Sequence, residues 1–473
     1  MTPPLTGGAS TVPLRRGKAC MKCRRPKDET CQYGPTTPRI RTRTKPLEST
    51  VASLVARVEQ LEHSSNSPSS IQLFDPYLPE PESHLGYRRL HLFLDHAPQF
   101  GFFLDPERFM QSVRYIDDHI SCPSPSLLNS ILLWGAHLSS NTDLEVRFKS
   151  IALQRTAALG VQPFLYTLQA EVLLGYYLFR TGAFLEARVH TNTALELALS
   201  GGLHQICVST QTADVVEQGE RINAFWAVFV LHNNLGAAMG DLPDAAAVGG
   251  MQIDTPWPLD MDEYKQGVFS RGSQATVLKY LRILSATPEY SDHGSSLLAL
   301  NAKACILLNQ ALWLPPQWNS NVAGDVQSLY NVFQLVNDRI LELRGQMSSA
   351  ATRNGASIRL LTHSLLYAAT IKLHDLFTAN NVESRRICLD AARAMFRFEG
   401  MDLHSLGYLN PMMATLLKMA YDVLVAEHYR ISQTNRPSSQ ETHEAHATLG
   451  DARGKLDTLA NLDILKLDLS LFN

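Results

Sequence analysis

The chain has 473 residues, more than a single compact domain usually has, and 45% of them are hydrophobic, which is enough to fill a large core. The net charge of −3 excludes a protein that is polycationic over its whole length. The charge is nevertheless uneven, because residues 13–46 contain eleven Lys or Arg and only two acidic residues. A basic segment attached to an acidic body indicates a polyanionic partner for that segment.

Seven cysteines are present, three of them near the N-terminus and four scattered singly in apolar surroundings. Such an odd, uneven set is not typical of a disulfide framework and favours a reducing compartment. The N-terminus has no apolar run of the signal-peptide type, and the dense apolar stretch AFWAVFVL, from Ala224, is too short to span a bilayer. We therefore expect a soluble intracellular protein that does not contact a membrane.

Composition divides the first 84 residues into four segments. Residues 1–14 are rich in Pro, Gly and Thr and are predicted to be disordered, whereas residues 15–46 form a basic, Cys-bearing segment with its linker. Residues 47–62 have the period of a helix, and residues 63–84 form a second linker that is rich in Ser and Pro.

A heptad pattern occupies residues 47–62. The apolar residues are separated by steps of 4, 3, 4 and 3: Leu47, Val51, Leu54, Val58 and Leu61. Pro46 suits the first turn of such a helix. The pattern fits either one amphipathic helix that packs on the body of the same chain or a short dimerising coiled coil. We favour the coiled coil, because polar residues flank both sides of the apolar seam.

The body, residues 85–473, has helical periodicity and few alternating strand patterns, so we predict an all-α fold. One wide apolar face consists of Ile222, Phe225, Trp226, Phe229 and Val230, and a second stripe consists of Leu361, Leu365, Ala368 and Ile371. Asn410 is a plausible helix cap with Pro411 at the first helical position.

One segment has the small residues of a tetratricopeptide repeat unit: Gly175, Gly182, Ala187 and Ala194. Only one such unit is found, and a single hairpin cannot bury its own apolar face. We therefore predict one helical hairpin inside a larger helical domain. A true repeat scaffold is the lesser alternative.

Enzyme motifs are missing from the sequence: there is no nucleophile elbow, no phosphate-binding loop and no dinucleotide fingerprint. The paired glycines of the SGGLH stretch follow a helical pattern and predict a helix end and a turn. His443 and His446 have a spacing that could share a metal, but their polar surroundings favour a solvated helix or loop. We predict no enzyme activity.

The basic segment RRGKACMKCRRPKDETCQYG begins at Arg15 and carries the most specific chemistry. Cys20 and Cys23 form a C-x-x-C pair that can bind one metal ion through two thiolates, and Cys31 adds a third. A fourth ligand would be water or a residue from elsewhere, whereas structural zinc sites are normally closed. Basic residues that can contact phosphates and base edges surround the pair: Lys18, Lys22, Arg24, Arg25 and Lys27.

These segments resemble the fungal binuclear zinc cluster (zinc-2-cysteine-6) transcription factors. RRGKACMKCRR resembles the first arm of the zinc cluster, and DETCQYGP with the following heptads resembles its end, its linker and its dimerisation coil. HAPQFGFFLDPERF, ERINAFWAVFVLHNNLGAAMGDLP, IDTPWP and YLNPMMATLLKMAYDVLVAEHYR resemble the helical fungal-specific transcription factor domain. The resemblance implies a nuclear regulator of transcription that binds DNA and zinc.

The cluster departs from the family pattern. The family holds two zinc ions with six cysteines, of which Cys20 and Cys23 match the first two and Cys31 best matches the last. Pro26 follows Arg25 directly, where the family has further basic residues and another cysteine, and a proline would end the short recognition helix. The family also often has an Asp where this chain has His232 and Asn233.

Two functions follow from the resemblance. The first is a dimeric regulator of RNA polymerase II transcription whose own DNA binding is weak or non-specific, because the cluster is incomplete. Lys22, Arg24 and Arg25 would enter the major groove, and Lys18 and Lys27 would contact phosphates. The second is a homodimer or heterodimer partner that acts through the coil and the helical domain without binding DNA itself.

Overall fold

Fifteen α-helices and no strands make up the described part of the chain, in a computed structural model. The structure describes residues 83–114, 123–157, 164–206, 214–241, 252–269, 276–282, 294–320, 326–349, 355–398, 408–433, 439–462 and 465. These residues belong to one compact unit that spans Pro79–Asn473. The all-α prediction for the body is confirmed for them, whereas the segments predicted within residues 1–82 lie outside the described residues.

The helices follow one another with short connections. The first eight are α1 (Ser83–His96), α2 (Pro106–Arg114), α3 (Pro125–Leu138), α4 (Thr142–Ala157), α5 (Phe164–Arg180), α6 (Phe184–Ser200), α7 (Val215–Ala238) and α8 (Met261–Lys265). The others are α9 (Thr276–Arg282), α10 (Leu297–Ser320), α11 (Val326–Ser349), α12 (Ala356–Asp375), α13 (Val382–Met395), α14 (Met412–Ser432) and α15 (Ser439–Asn461). Two 3₁₀ turns lie at Ala97–Phe100 and Leu203–Gln205.

Each helix packs mainly on its neighbours in sequence. In the first half α3 contacts α1, α4 and α5, while α6 packs between α5 and α7. In the second half α12 packs on α10, α13 and α14, and α15 packs on α14. Helix α7 joins the two halves, because it contacts α5 and α6 on one side and α10 and α14 on the other.

Helix α7 is buried on all sides. The predicted face at Ile222, Phe225 and Trp226 is buried, but so are Ala224 and Val228 on other faces. A helix that is apolar all round is expected at the centre of a large helical body. Helix α12 behaves in the same way.

The extended segment at residues 252–259 crosses the end of α7. Trp257 stacks on Trp226 of α7 with ring centroids 4.5 Å apart, and Trp226 Nε1 donates a hydrogen bond to Pro256 O at 2.7 Å. Lys303 of α10 is only 1% exposed, and its Nζ lies 5.0 Å from the Trp257 ring. The segment therefore connects α7 with α10 through buried aromatic rings, where a cation over a ring is stabilising.

A buried arginine connects the first half of the chain with the segment before α14. Arg180, at the end of α5, is 3% exposed and donates from Nε to His137 Nε2 at 2.8 Å. Its guanidinium carbon lies 5.1 Å from the Tyr408 ring, and Tyr408 donates a hydrogen bond to Leu138 O at 2.8 Å. Asn410 adds a hydrogen bond to Gln99 O at 2.9 Å.

The start of α14 differs slightly from the prediction. The helix begins at Met412 with Pro411 as the residue before it, one position later than expected. Asn410 Oδ1 still accepts a hydrogen bond from Met412 N at 3.0 Å, so its side chain satisfies one backbone donor of the first turn.

The predicted helical hairpin is formed by α5 and α6. Gly175 lies where the two helices and α7 approach most closely, since a Cβ there would come within 2.9 Å of Leu231 Cδ2 and 3.0 Å of Thr191 Oγ1. Ala187 and Ala194 are fully buried in the same contact. The paired glycines after α6 form the predicted turn, in which Gly202 has φ +69°.

Among the described residues one segment, Leu297–Trp318 of α10, is long and apolar enough to cross a membrane. The sequence analysis did not single it out. Seventy-two per cent of its most apolar window is buried inside the helical body, and a core helix of a soluble protein has the same properties.

We predict that Gly175→Ala destabilises the protein, because the new methyl group is forced against Leu231 and Thr191 and overpacking costs about 1–3 kcal/mol. The matched control is Gly345→Ala in α11, where nothing lies within 4 Å of the added Cβ. The control should gain up to about 1 kcal/mol from helix propensity. Urea unfolding of both variants measures the difference, and equal effects of the two substitutions would contradict the close contact.

Candidate functional site

All the site residues predicted from the sequence lie outside the described residues. They comprise the metal ligands Cys20, Cys23 and Cys31, the basic residues Lys18, Lys22, Arg24, Arg25 and Lys27, and the apolar seam Leu47, Val51, Leu54, Val58 and Leu61. Their roles therefore stay predictions. The functional features of the helical body are considered next.

Within the described ranges, no group of three or more His, Cys, Asp or Glu is arranged to hold a metal ion. His443 and His446 lie on α15 and are both exposed, in agreement with the solvated helix expected for them. The His446 ring contacts that of His428 at a centroid distance of 6.0 Å, as two neighbouring side chains on packed helices.

The position where the family often has an Asp is the contact between α7 and α10. Asn233 donates from Nδ2 to Phe229 O at 2.6 Å, and its Oδ1 accepts a hydrogen bond from Asn309 Nδ2. Cys305 donates to Asn234 Oδ1 at 3.0 Å. Burial lowers the pKa of His232, so the imidazole is favoured as the neutral form. This contact therefore consists of neutral hydrogen bonds.

Charged residues cluster where α2, α7 and α8 meet. Glu220 of α7 is 6% exposed and accepts a hydrogen bond from Asp105 N at 2.9 Å, just before α2. Lys265 Nζ, at the end of α8, lies 2.9 Å from Asp105 Oδ2, and Arg108 pairs with Asp214 at 2.6 Å. These contacts hold the starts of two helices to the end of a third.

Glu220 titrates close to neutral pH in this cluster. Burial raises its pKa to about 7, although the Asp105 N–H and the Arg108 guanidinium act in the opposite direction. The carboxylates of Asp105 and Asp214 raise the pKa further, since like charges disfavour ionisation. The protonated form is therefore the one that fits the folded state best.

A cleft of about 450 Å³ lies between α12, α13 and α14, and we call it the α12–α14 cleft. Its apolar floor contains Ile371, Cys388, Leu389, Met419 and Val423. Cys388 donates a weak hydrogen bond to Ile371 O at 3.6 Å, and burial raises the pKa of its thiol to about 12. The floor is therefore uncharged at physiological pH. A smaller cavity of about 130 Å³ adjoins the cleft beneath α15 and shares Leu389 with it.

Some charged groups at the rim of the cleft neutralise one another. Glu427 accepts two hydrogen bonds from Arg430, both at 2.7 Å, in the bidentate geometry that carboxylates and guanidinium groups favour. Asp422 forms an ion pair with Lys418 one turn earlier on α14. These two carboxylates therefore already have cationic partners.

Other charged groups of the rim have no such partner. Within the described part of the chain, the side chains of Lys372 and Asp375 make no hydrogen bond or ion pair. Arg385 makes one side-chain hydrogen bond there, from Nη2 to Thr378 O at 2.9 Å. Two cationic groups and one carboxylate thus remain available at the mouth of the cleft.

The sequence carries no signal for this cleft. Its residues come from three helices that are separated by loops, and none belongs to a spaced motif. The stripe at Leu361, Leu365, Ala368 and Ile371 did predict that α12 is a core helix, and Ile371 belongs to the cleft floor. Only the packing of α13 and α14 on α12 brings the set together.

We predict that Glu220→Gln makes the protein more stable at alkaline pH relative to the native chain. An acid with a raised pKa in the folded state contributes stability that is fully present below its ordinary pKa of 4.5 and is lost as the pH rises through about 7. Glutamine keeps an acceptor for Asp105 N but does not ionise. The difference in unfolding free energy should move in favour of the variant by about 2 kcal/mol between about pH 5 and about pH 8.

The control for this prediction is Glu217→Gln, one turn earlier on α7, where the exposed carboxylate pairs with Arg221. This exposed pair should contribute less than about 1 kcal/mol. Urea unfolding at each pH measures both variants. A difference between Glu220→Gln and the native chain that does not change with pH would contradict the assignment.

Comparisons with known proteins identify the middle of the chain. Residues 90–267 match the family model for the fungal specific transcription factor domain. The match runs from α1 to the end of α8 and contains the segments from HAPQFGFFLDPERF to IDTPWP. No curated protein and no solved structure matches the chain.

The match does not reach the zinc-cluster segment, the coil or helices α9–α15, so the resemblance of those parts stays a prediction. The family is normally non-enzymatic, in agreement with the lack of enzyme motifs in the sequence. Residues 90–267 form a fungal-specific transcription factor domain, which implies a nuclear role in the regulation of transcription.

Proposed function

We propose that this protein is a dimeric transcription regulator that binds DNA weakly, and with little sequence preference, through residues 15–46. The observation that carries the proposal is the transcription factor domain at residues 90–267, preceded in the same chain by a basic segment with a C-x-x-C pair. The helical body would be the regulatory part, and residues 47–62 would be the dimerisation helix.

The donor set of the basic segment explains why binding should be weak. The binuclear cluster of the resembling family uses six thiolates for two metal ions, whereas Cys20, Cys23 and Cys31 supply three. Three thiolates do not fit a two-metal core, and small zinc modules derive most of their folding free energy from the metal. The segment would then keep its positive charge but lose the fixed geometry that base recognition needs.

The positive charge alone is sufficient for phosphate contacts. Eleven Lys or Arg lie within residues 13–46, and a flexible basic segment binds DNA mainly by releasing counterions. Two such segments in one dimer would bind more tightly than one, because the second contact is intramolecular. The heptad seam from Leu47 to Leu61 is the proposed means of bringing them together.

We predict that the full chain binds a GC-rich duplex and a scrambled duplex with similar affinity. The affinity should fall by about 100-fold or more from about 50 to about 200 mM salt, since the contacts are to phosphates. Replacing Lys18, Arg24 and Arg25 by Ala should weaken binding to both duplexes alike. Fluorescence anisotropy with labelled duplexes measures each affinity.

The matched control removes three exposed positive charges from the helical body, at Arg88, Arg221 and Arg386, and should leave DNA binding nearly unchanged. A strong preference for one duplex, together with two tightly bound zinc ions per chain by native mass spectrometry, would overturn the proposal. Those results would mean that the segment assembles a complete cluster with ligands from elsewhere.

The incomplete cysteine set also favours a second function, a dimerisation partner without DNA binding of its own. In this case the chain should form heterodimers with a relative that has six cluster cysteines and should reduce that relative's DNA binding. Val51→Asp with Leu54→Asp should abolish the reduction, because charges in the seam oppose a coiled coil. Gel-shift titration of the relative with the native chain and with this variant separates the two functions.

A further inference from the structure

We infer that the α12–α14 cleft is a binding site for a small organic acid with an apolar body, whose carboxylate is held by Lys372 and Arg385. The inference concerns the helical body alone and does not depend on the proposed DNA binding. It rests on the shape of the cleft, its uncharged floor and the charges left available at its rim.

The two cations are suited to a carboxylate. Arg385 is held in place by the hydrogen bond from its Nη2 to Thr378 O, which leaves other N–H groups of the guanidinium for a ligand. Lys372, on the opposite wall, adds an ammonium group that has no ion-pair partner within the described ranges. Charge-assisted hydrogen bonds from such groups are roughly twice as strong as neutral ones.

The remaining carboxylate of the rim limits the charge of the ligand. Asp375 lies one turn after Lys372 on the same side of the cleft, and the other acidic groups are compensated by Arg430 and Lys418. The available charges are therefore two positive and one negative. This balance favours a monoanion over a dianion, which would be repelled by Asp375.

The floor is suited to an apolar body. Met419 and Leu389 are half-buried, and an unbranched thioether side chain adapts readily to different ligand shapes. Cys388 brings no charge, because burial keeps its thiol protonated. The cleft volume of about 450 Å³ lies within the range of sites that enclose small molecules.

The test uses the full chain and octanoate as the probe, with octanol and octylamine as neutral and cationic probes of the same length. Isothermal titration calorimetry should show that octanoate binds at least about tenfold more tightly than octanol or octylamine. Suberate, the dicarboxylate of the same length, should bind more weakly than octanoate.

Lys372→Met and Arg385→Met should each weaken octanoate binding by about tenfold while leaving octanol binding unchanged. The matched control is Arg386→Met, the next residue on α13, which is exposed and pairs with Glu383 and Asp390 instead. It should bind octanoate as the native chain does. Thermal unfolding verifies that each variant is folded.

Hydrogen exchange measured by mass spectrometry locates the bound probe. Octanoate should slow exchange in α12, α13 and α14 and leave α3 and α4 unchanged. Equal binding of octanoate and octanol, protection outside the cleft, or no binding of octanoate would each overturn the inference. Loss of octanoate binding in the Arg386→Met control would overturn the assignment of the carboxylate to Lys372 and Arg385.

Discussion

The described structure depends most on the buried pair of Arg180 and His137. An arginine N–H can only donate, so His137 Nε2 accepts and the ring donates from Nδ1 to Glu145 at 2.9 Å. The imidazole is thereby fixed as one neutral tautomer next to a permanent cation. Because the same guanidinium lies against Tyr408, the pair fixes how the segment before α14 meets α3 and α5. A buried charge of this kind is costly unless every contact around it forms, which favours one arrangement of these helices over others.

The transcription factor domain and the helices after it share one core. The family match ends at residue 267, yet α10 and α14 both pack on α7, which lies inside the match. Trp257 and Lys303 meet across this limit, and so do Arg180 and Tyr408. A protein cut at the end of the match would expose the apolar side of α7 that α10 covers. The structural domain is therefore larger than the matched segment, and the α12–α14 cleft belongs to it.

Local periodicity was sufficient to predict the helices and the hairpin. The stripes on α7 and α12 identified core helices, and the small residues at Gly175, Ala187 and Ala194 marked a close helix contact. Contacts between distant residues were not predictable in this way. Glu220 owes its raised pKa partly to Asp105, which is 115 positions away. Lys303 would be expected at the surface by residue type, and only the packed rings around it explain its burial. The α12–α14 cleft could not be predicted for the same reason.

The hydrogen bonds between α7 and α10 have a consequence for how the protein responds to its surroundings. Asn233, Asn234, Asn309 and Cys305 form this contact, and burial raises the pKa of the Cys305 thiol far above neutrality. The contact therefore carries no net charge over the physiological range, and neither salt nor a moderate change in acidity alters its strength. Ionic disturbances would act instead at the edge where α2, α7 and α8 meet. The centre of the molecule is thus a rigid frame against which that edge can loosen or tighten independently.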